Sequence, residues 1–309
     1  ITPSLVGFLG SLNGVNASSR AYAQIIFENL TSEKWTYYFK NFFEKDDFVL
    51  STLILVDSSL QDFCALAKKM KVDNDSIDTL SRPVFLEKSE EILGWLQGRT
   101  EEELKKLWKC NDKIATENNE RIKTMNFQKQ LTPAVLAYEG IAYQYMAPVV
   151  FEDGHFDYVQ EHLRILSAFY GVLKPMDGIK SYRLEMQAKA AIGDFTNLYD
   201  FWGDHLYREV IDDSRIIINL ASKEYSKCIE KYLTPDDRYI TISFCEQSGG
   251  RLITKGTYAK MARGEMVRYM AENHIENPEG IKEFDHLGYV FRGDISSDRE
   301  YIFERKTVK

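Results

Sequence analysis

No run of about eighteen apolar residues occurs anywhere in the 309-residue chain, which excludes a membrane-spanning helix. The apolar start, Ile1 to Gly14, lacks a basic leading region, so no signal peptide is expected. Cysteine is scarce: Cys64, Cys110, Cys228 and Cys245 form no Cys-x-x-Cys pair. A chain this long buries roughly three quarters of its unfolded surface and needs no disulfide staples. The expectation is a cytoplasmic protein with reduced thiols. The five histidines, His155, His162, His205, His274 and His286, show no His-Glu-x-x-His or Cys/His ligand spacing. Neither a zinc site nor a facial triad is expected, even from His155 and His162, which stand seven apart. Basic side chains are outnumbered, 39 Lys+Arg against 47 Asp+Glu, for a net charge of −8. That excludes a globally basic nucleic-acid coat and leaves a local basic cleft open. What the chain does have is 44% apolar and 28% charged residues, ordinary values for a folded globular protein.

The texture changes near residue 67, which suggests an N-terminal extension (1–67) before a larger domain (68–309). Residues 1–67 open with an apolar run, Ser4 to Gly10, then a Gly/Ser/Asn loop to Ser19, then helical spacing from Arg20 to Leu30. Strand, small-residue loop and helix together can cradle a phosphate, because small residues let backbone N–H groups approach the anion. The same pattern is most often only a turn. Val49 to Val56 reads as a second strand.

Beyond residue 67 the periodicity predicts helices across Pro83 to Lys106. Thr100 and Glu103 have the spacing of a capping box, opening a helix expected to run toward Asn118. A helix over Asp157 to Phe169, with Val159, Leu163 and Leu166 inward, is expected to end at Gly171 and Pro175. Arg215 to Leu220, Tyr239 to Cys245, Arg251 to Thr254, Tyr289 to Arg292 and Tyr301 to Arg305 read as strands. Lys255 to Asn273 reads as a strong helix. Helices and strands interleave without a regular βαβα rhythm, so the fold class is α+β, or an irregular α/β, with a mixed sheet.

Several blocks in this order carry a family resemblance. They are Lys68-Lys-Met70, Trp108 to Ala115 with Asn118 and Arg121, Leu136 to Tyr143, Leu163 to Asp177, and Tyr182 to Met186. They continue with Leu198 to Asp204, Ile218 to Tyr225, Ala259 to Arg268, and Gly288-Tyr289. Over about 68–309 the chain resembles the YaaA family of bacterial proteins linked to peroxide stress. Where family members begin with a short strand running into Ile-Ser-Pro-Ala-Lys, this chain has Cys64-Ala-Leu-Ala-Lys68. The resemblance implies the compact arrangement called the cantaloupe fold, with a helix-hairpin-helix element. It also implies a basic cleft that binds double-stranded or branched DNA and protects it from oxidative damage. Residues 1–30 bear a second resemblance, to the start of flavodoxin-like FMN reductases, which would imply FMN; otherwise no cofactor is expected.

Apart from the resemblance, one segment stands out by its charge. Lys255 to Arg268 holds four basic residues and one acidic one. Lys260 and Arg263 share a helix face at about 100° per residue, whereas Arg268 lies roughly 140° from Arg263. The DNA-binding residues expected are Gly171 and Lys174 at the hairpin, and Arg183, Lys223, Lys260 and Arg263 along the cleft. Lys113, Arg121, Asn219, Ser222, Lys227 and Arg268 are secondary candidates. The alternative is an enzyme acting on a small phosphorylated or nucleotide ligand in the same cleft, with Ser222 and Lys223 as one possible nucleophile and base. No catalytic residue is assigned. Cys110, beside Lys109, is the thiol best placed to meet peroxide, against the plainer reading of a buried inert group.

Overall fold

The computed structural model describes residues 79–306 apart from Glu139, and the extension with its loop, strand and FMN reading lies outside them. The second and third helices form where the sequence supplies caps, whereas the first has none from a side chain. Helix α1 (Leu86–Gln97) buries Ile92, Leu93 and Leu96. Helix α2 (Glu101–Trp108) opens on the expected capping box: Glu103 N–H donates to Thr100 Oγ1, and Thr100 N–H donates to the Glu103 carboxylate. It does not continue toward Asn118. Lys109 turns left-handed, and Asn111 caps a separate helix, α3 (Asp112–Lys123), through Oδ1. The Asn111 cap satisfies a new set of free N–H groups, so two short helices replace one long one.

A short strand, β1 (Thr132–Pro133), leads into two brief helices, α4 (Ala134–Ala137) and α5 (Ile141–Met146), followed by α6 (Asp153–His162). Here the structure corrects the sequence reading. Helix α6 stops at His162, and the chain forms an antiparallel hairpin from β2 (Ile165–Ser167) and β3 (Gly171–Leu173). The Ser167 hydroxyl accepts from the N–H groups of Phe169 and Tyr170, and Trp202 Nε1 donates to the Ala168 carbonyl. Gly171 sits at φ +77, and an added Cβ would lie 2.8 Å from Trp202. Tyr170 to Pro175 is therefore one arm of a β-hairpin, and the expected turn between two helices is not there.

Strand β4 (Gly178–Ile179) pairs with β1. Helices α7 (Leu198–Trp202) and α8 (His205–Val210) then lead to the main sheet. Its strands are β5 (Ile216–Asn219), β6 (Arg238–Ser248), β7 (Arg251–Ile253), β8 (Tyr289–Phe291) and β9 (Glu300–Arg305); α9 (Lys223–Glu230) follows β5, and α10 (Gly256–Glu272) follows β7. The order is β5-β6-β9-β8, with β7 also on β6. β5 and β9 run parallel to β6, whereas β7 and β8 are antiparallel to their partners. This open mixed sheet with helices makes the fold α+β.

Successive strand residues face opposite sides, and the core divides accordingly. Tyr239 joins a cluster with Phe169, Tyr170 and Trp202, while its neighbour Ile240 joins one with Phe244, Phe284 and Phe303. No helix among the described residues is long and apolar enough to cross a membrane.

Candidate binding cavity

Among the described residues strand β5 is the edge of the sheet, and a cavity of about 990 Å³ runs along it. Every residue from Ile216 to Ser222 lines it. Since alternate residues point to opposite faces, such continuous lining means that the cavity follows the strand edge. Helix α10 contributes Lys260, Arg263, Gly264 and Val267, and α5 contributes Tyr143.

The two helices meet by backbone contact. A Cβ on Gly264 would lie 1.8 Å from the Ala142 carbonyl oxygen and 2.9 Å from Met146 N. Arg263 and Tyr143, the next residues in sequence, therefore flank one tight crossing. Tyr143 stacks on Tyr138 at 5.1 Å between ring centroids. The Tyr138 and Tyr182 hydroxyls lie 2.9 Å apart, and Tyr182 contacts the Ser167 hydroxyl at 2.7 Å. Burial pushes the phenols of Tyr138, Tyr143 and Tyr182 well above their ordinary value. They stay protonated at neutral pH and act as neutral hydrogen-bonding groups, not as bases.

The four cations of segment 255–268 meet different fates. Lys255 pairs with Glu246, and Arg268 pairs with Glu272 at 2.7 Å. The one acidic residue, Glu265, is held by His286 at 3.0 Å. Lys260 and Arg263 line the cavity and have no acidic partner among the described residues. Burial lowers the Arg263 pKa, and its Nε is shut off from solvent with no hydrogen-bond partner. A guanidinium stays charged even so, so Arg263 is a partly desolvated cation that an anion in the cavity would satisfy. The lining also includes acidic groups. Glu161 stands near the end of α6, Glu209 and Asp212 precede β5, and Glu276 lies past the end of α10, about 14 Å of helix beyond Arg263 at 1.5 Å per residue.

The expected site residues are only partly brought together. Asn219, Ser222, Lys260 and Arg263 share the cavity. Asn219 is spent locally: its Oδ1 accepts from Ala221 N–H and its amide donates to Thr241 Oγ1. Ser222 caps α9 without a side-chain hydrogen bond. Lys223 and Lys227 are exposed on α9, Lys223 directly after the lining Ser222. Ser222 and Lys223 share no hydrogen bond among the described residues. Consecutive residues at a helix start point apart, which leaves the nucleophile–base pairing without geometry.

The remaining candidates lie elsewhere. Gly171 is buried and Lys174 is exposed at the end of β3. Arg183 donates to the Trp108 carbonyl at 3.2 Å. Lys113 and Arg121 stand on α3, where Arg121 borders a shallow hollow with Glu117 and Glu120. Cys110 is half-buried, and burial pushes the Cys228 thiol up to about 12. No cluster of potential metal ligands occurs among the described residues. Sequence reasoning missed the tyrosine lining. Tyr138, Tyr143 and Tyr182 stand in the family blocks, but nothing local in sequence says that they converge.

A family model described as "Peroxide stress protein YaaA" matches residues 63–295. A "UPF0246 protein" of Agathobacter rectalis is 69% identical over 240 residues, 78% of this chain and 96% of the relative. Proteins of the same name from Desulfitobacterium hafniense and Lachnoclostridium phytofermentans are 53% and 50% identical over 237 residues each. Those matches span 77% of this chain and 94% and 93% of the relatives. With its mixed sheet, its peroxide-stress match and relatives aligned over nearly their whole length, the chain belongs to the YaaA family of peroxide stress proteins.

Proposed function

We propose that this chain serves the response to oxidative stress by binding double-stranded or branched DNA through its phosphates, along the cationic rim formed by Lys223, Lys227 and Lys260. The observation that carries the reading is the selective pairing of cations on α10. Lys255 and Arg268 are neutralised by carboxylates, while Lys260 has no acidic partner among the described residues, and Lys223, directly after the cavity-lining Ser222, and Lys227 are exposed on α9. Unpaired lysines at a rim suit a backbone polyanion, which needs point charges rather than a shaped pocket. Contacts of this kind shield DNA without reading its sequence.

The test is fluorescence anisotropy of labelled duplex and four-way junction DNA, titrated at several salt concentrations. Three phosphate contacts give a log–log salt slope of about −2.7, or roughly a 40-fold loss between 50 and 200 mM salt. Lys223→Glu with Lys260→Glu should reduce both the affinity and the slope. Absence of binding by wild-type protein at 50 mM salt would sink the reading.

A further inference from the structure

We infer that the cavity beneath the rim is a single-nucleotide pocket, with Arg263 pairing the phosphate and the Tyr138–Tyr143 shelf taking the base. The inference rests on the cavity and not on duplex binding, and either can fail without the other. Three observations carry it.

The first is charge. Arg263 has a buried, unpartnered Nε inside the cavity, and Lys260 lies one turn away on the same helix. A partly desolvated guanidinium favours an anion, and a guanidinium with a nearby ammonium suits a phosphate, which accepts from both.

The second is size and lining. A volume of about 990 Å³ is far larger than an inorganic anion needs and lies at the upper end of ordinary small-molecule pockets. The walls that Ile217, Ile218, Val267 and Ile229 supply are apolar, so the occupant must carry a sizeable body with few charges besides its phosphate.

The third is the aromatic shelf. Tyr138 and Tyr143 stack with 21° between their planes, and burial keeps both phenols neutral. The Tyr143 hydroxyl has no hydrogen-bond partner among the described residues, which leaves it free to meet a base edge. A planar heterocycle is the body that such a shelf favours. Phosphate at one side and planar ring at the other define a nucleotide. The acidic lining groups among the described residues do not oppose this, since Glu161 comes from α6, Glu209 from α8, Asp212 from the segment before β5 and Glu276 from the segment after α10, and none stands on α5 or α10.

The same chemistry can come from a free nucleoside monophosphate or from the phosphorylated end of a DNA strand, and the experiment separates them. One arm titrates 2-aminopurine deoxyriboside 5′-monophosphate into the full chain and follows its fluorescence, with inorganic phosphate as competitor. The other arm uses a 5′-phosphorylated single strand with 2-aminopurine at its first position. Binding to free nucleotide at least tenfold tighter than to phosphate is expected, with at least a tenfold loss in Arg263→Met. Tyr143→Leu should abolish the preference for nucleotide over phosphate while leaving phosphate binding intact. That second variant keeps the test decisive if Arg263→Met folds poorly. A signal from the strand alone assigns the pocket to DNA ends, and a signal from both assigns it to the nucleotide unit itself. No fluorescence change in either arm, or phosphate bound as tightly as nucleotide, overturns the inference.

Discussion

His286 forms a carboxylate–imidazole contact with Glu265 of α10, at 3.0 Å. The hydrogen bond to Glu265 raises the His286 pKa; burial opposes it, and the charges of Glu265 and Asp285 add to the rise. A raised value in the folded state means stabilisation that is fully present below the unfolded value near 6.5, and lost as pH climbs through the folded value. His286→Gln should therefore cost more stability at pH 5.5 than at pH 8.5 in urea melts. Equal losses at both pH values would show that the imidazole acts by packing alone, on Tyr269 and Phe284. Single residues of this kind differ in how much the sequence announces them. Thr100 and Glu103 were legible because a capping box is local. The angular argument that separates Arg268 from Arg263 also holds, since Arg268 turns to Glu272. His286 carries no such sign, because its partner lies 21 residues away.

At the scale of elements, two glycines inside helices should respond to the same substitution with opposite signs. Gly94 in α1 is exposed, and an added Cβ there meets nothing within 4 Å. Gly94→Ala should stabilise by about 0.5–1 kcal/mol, since alanine loses less backbone entropy in a helix. Gly264 in α10 has the Ala142 carbonyl where its Cβ would go. Gly264→Ala must push α5 off α10 and should cost about 1–3 kcal/mol or more. Urea denaturation of both variants checks the pair, and a stabilised Gly264→Ala would mean that the crossing is looser than described. The elements legible in the sequence were those with a long period, such as α10, or clean alternation, such as β6 and β9. The hairpin of β2 and β3 was not. Val159, Leu163 and Leu166 also fit a helical repeat, and short apolar runs do not separate strand from helix by period. What decides between them is distant: Trp202 donates to Ala168 and fills the space over Gly171. The cavity was half legible for a similar reason. The end of β5 and the Lys260–Arg263 face follow from local pattern, whereas the tyrosine shelf depends on α5 crossing α10.

Across the whole described region, the sheet is the wall between two apolar clusters, and few side chains belong to both sides. Leu220, just past β5, and Met270, on α10, pack against both clusters. Helix α10 is itself divided, with Val267 and Ala271 in one cluster and Ala262, Met266 and Tyr269 in the other. A helix and a strand edge shared in this way should couple the two clusters into one cooperative unit, since neither can open without stripping apolar surface from the other. Leu220→Ala tests the coupling. Leu220 is half-buried, so the loss should be about 1–3 kcal/mol, below the range for a fully buried leucine. Hydrogen exchange followed by mass spectrometry should then show peptides around Trp202 and around Phe303 losing protection by the same amount. If only one set loosened, the two clusters would be separate folding units, and the cavity between β5 and α10 would lie on a seam that opens. Equal loosening instead makes the cavity part of the rigid body, which is the condition under which Arg263 can be held desolvated without collapsing onto the surface.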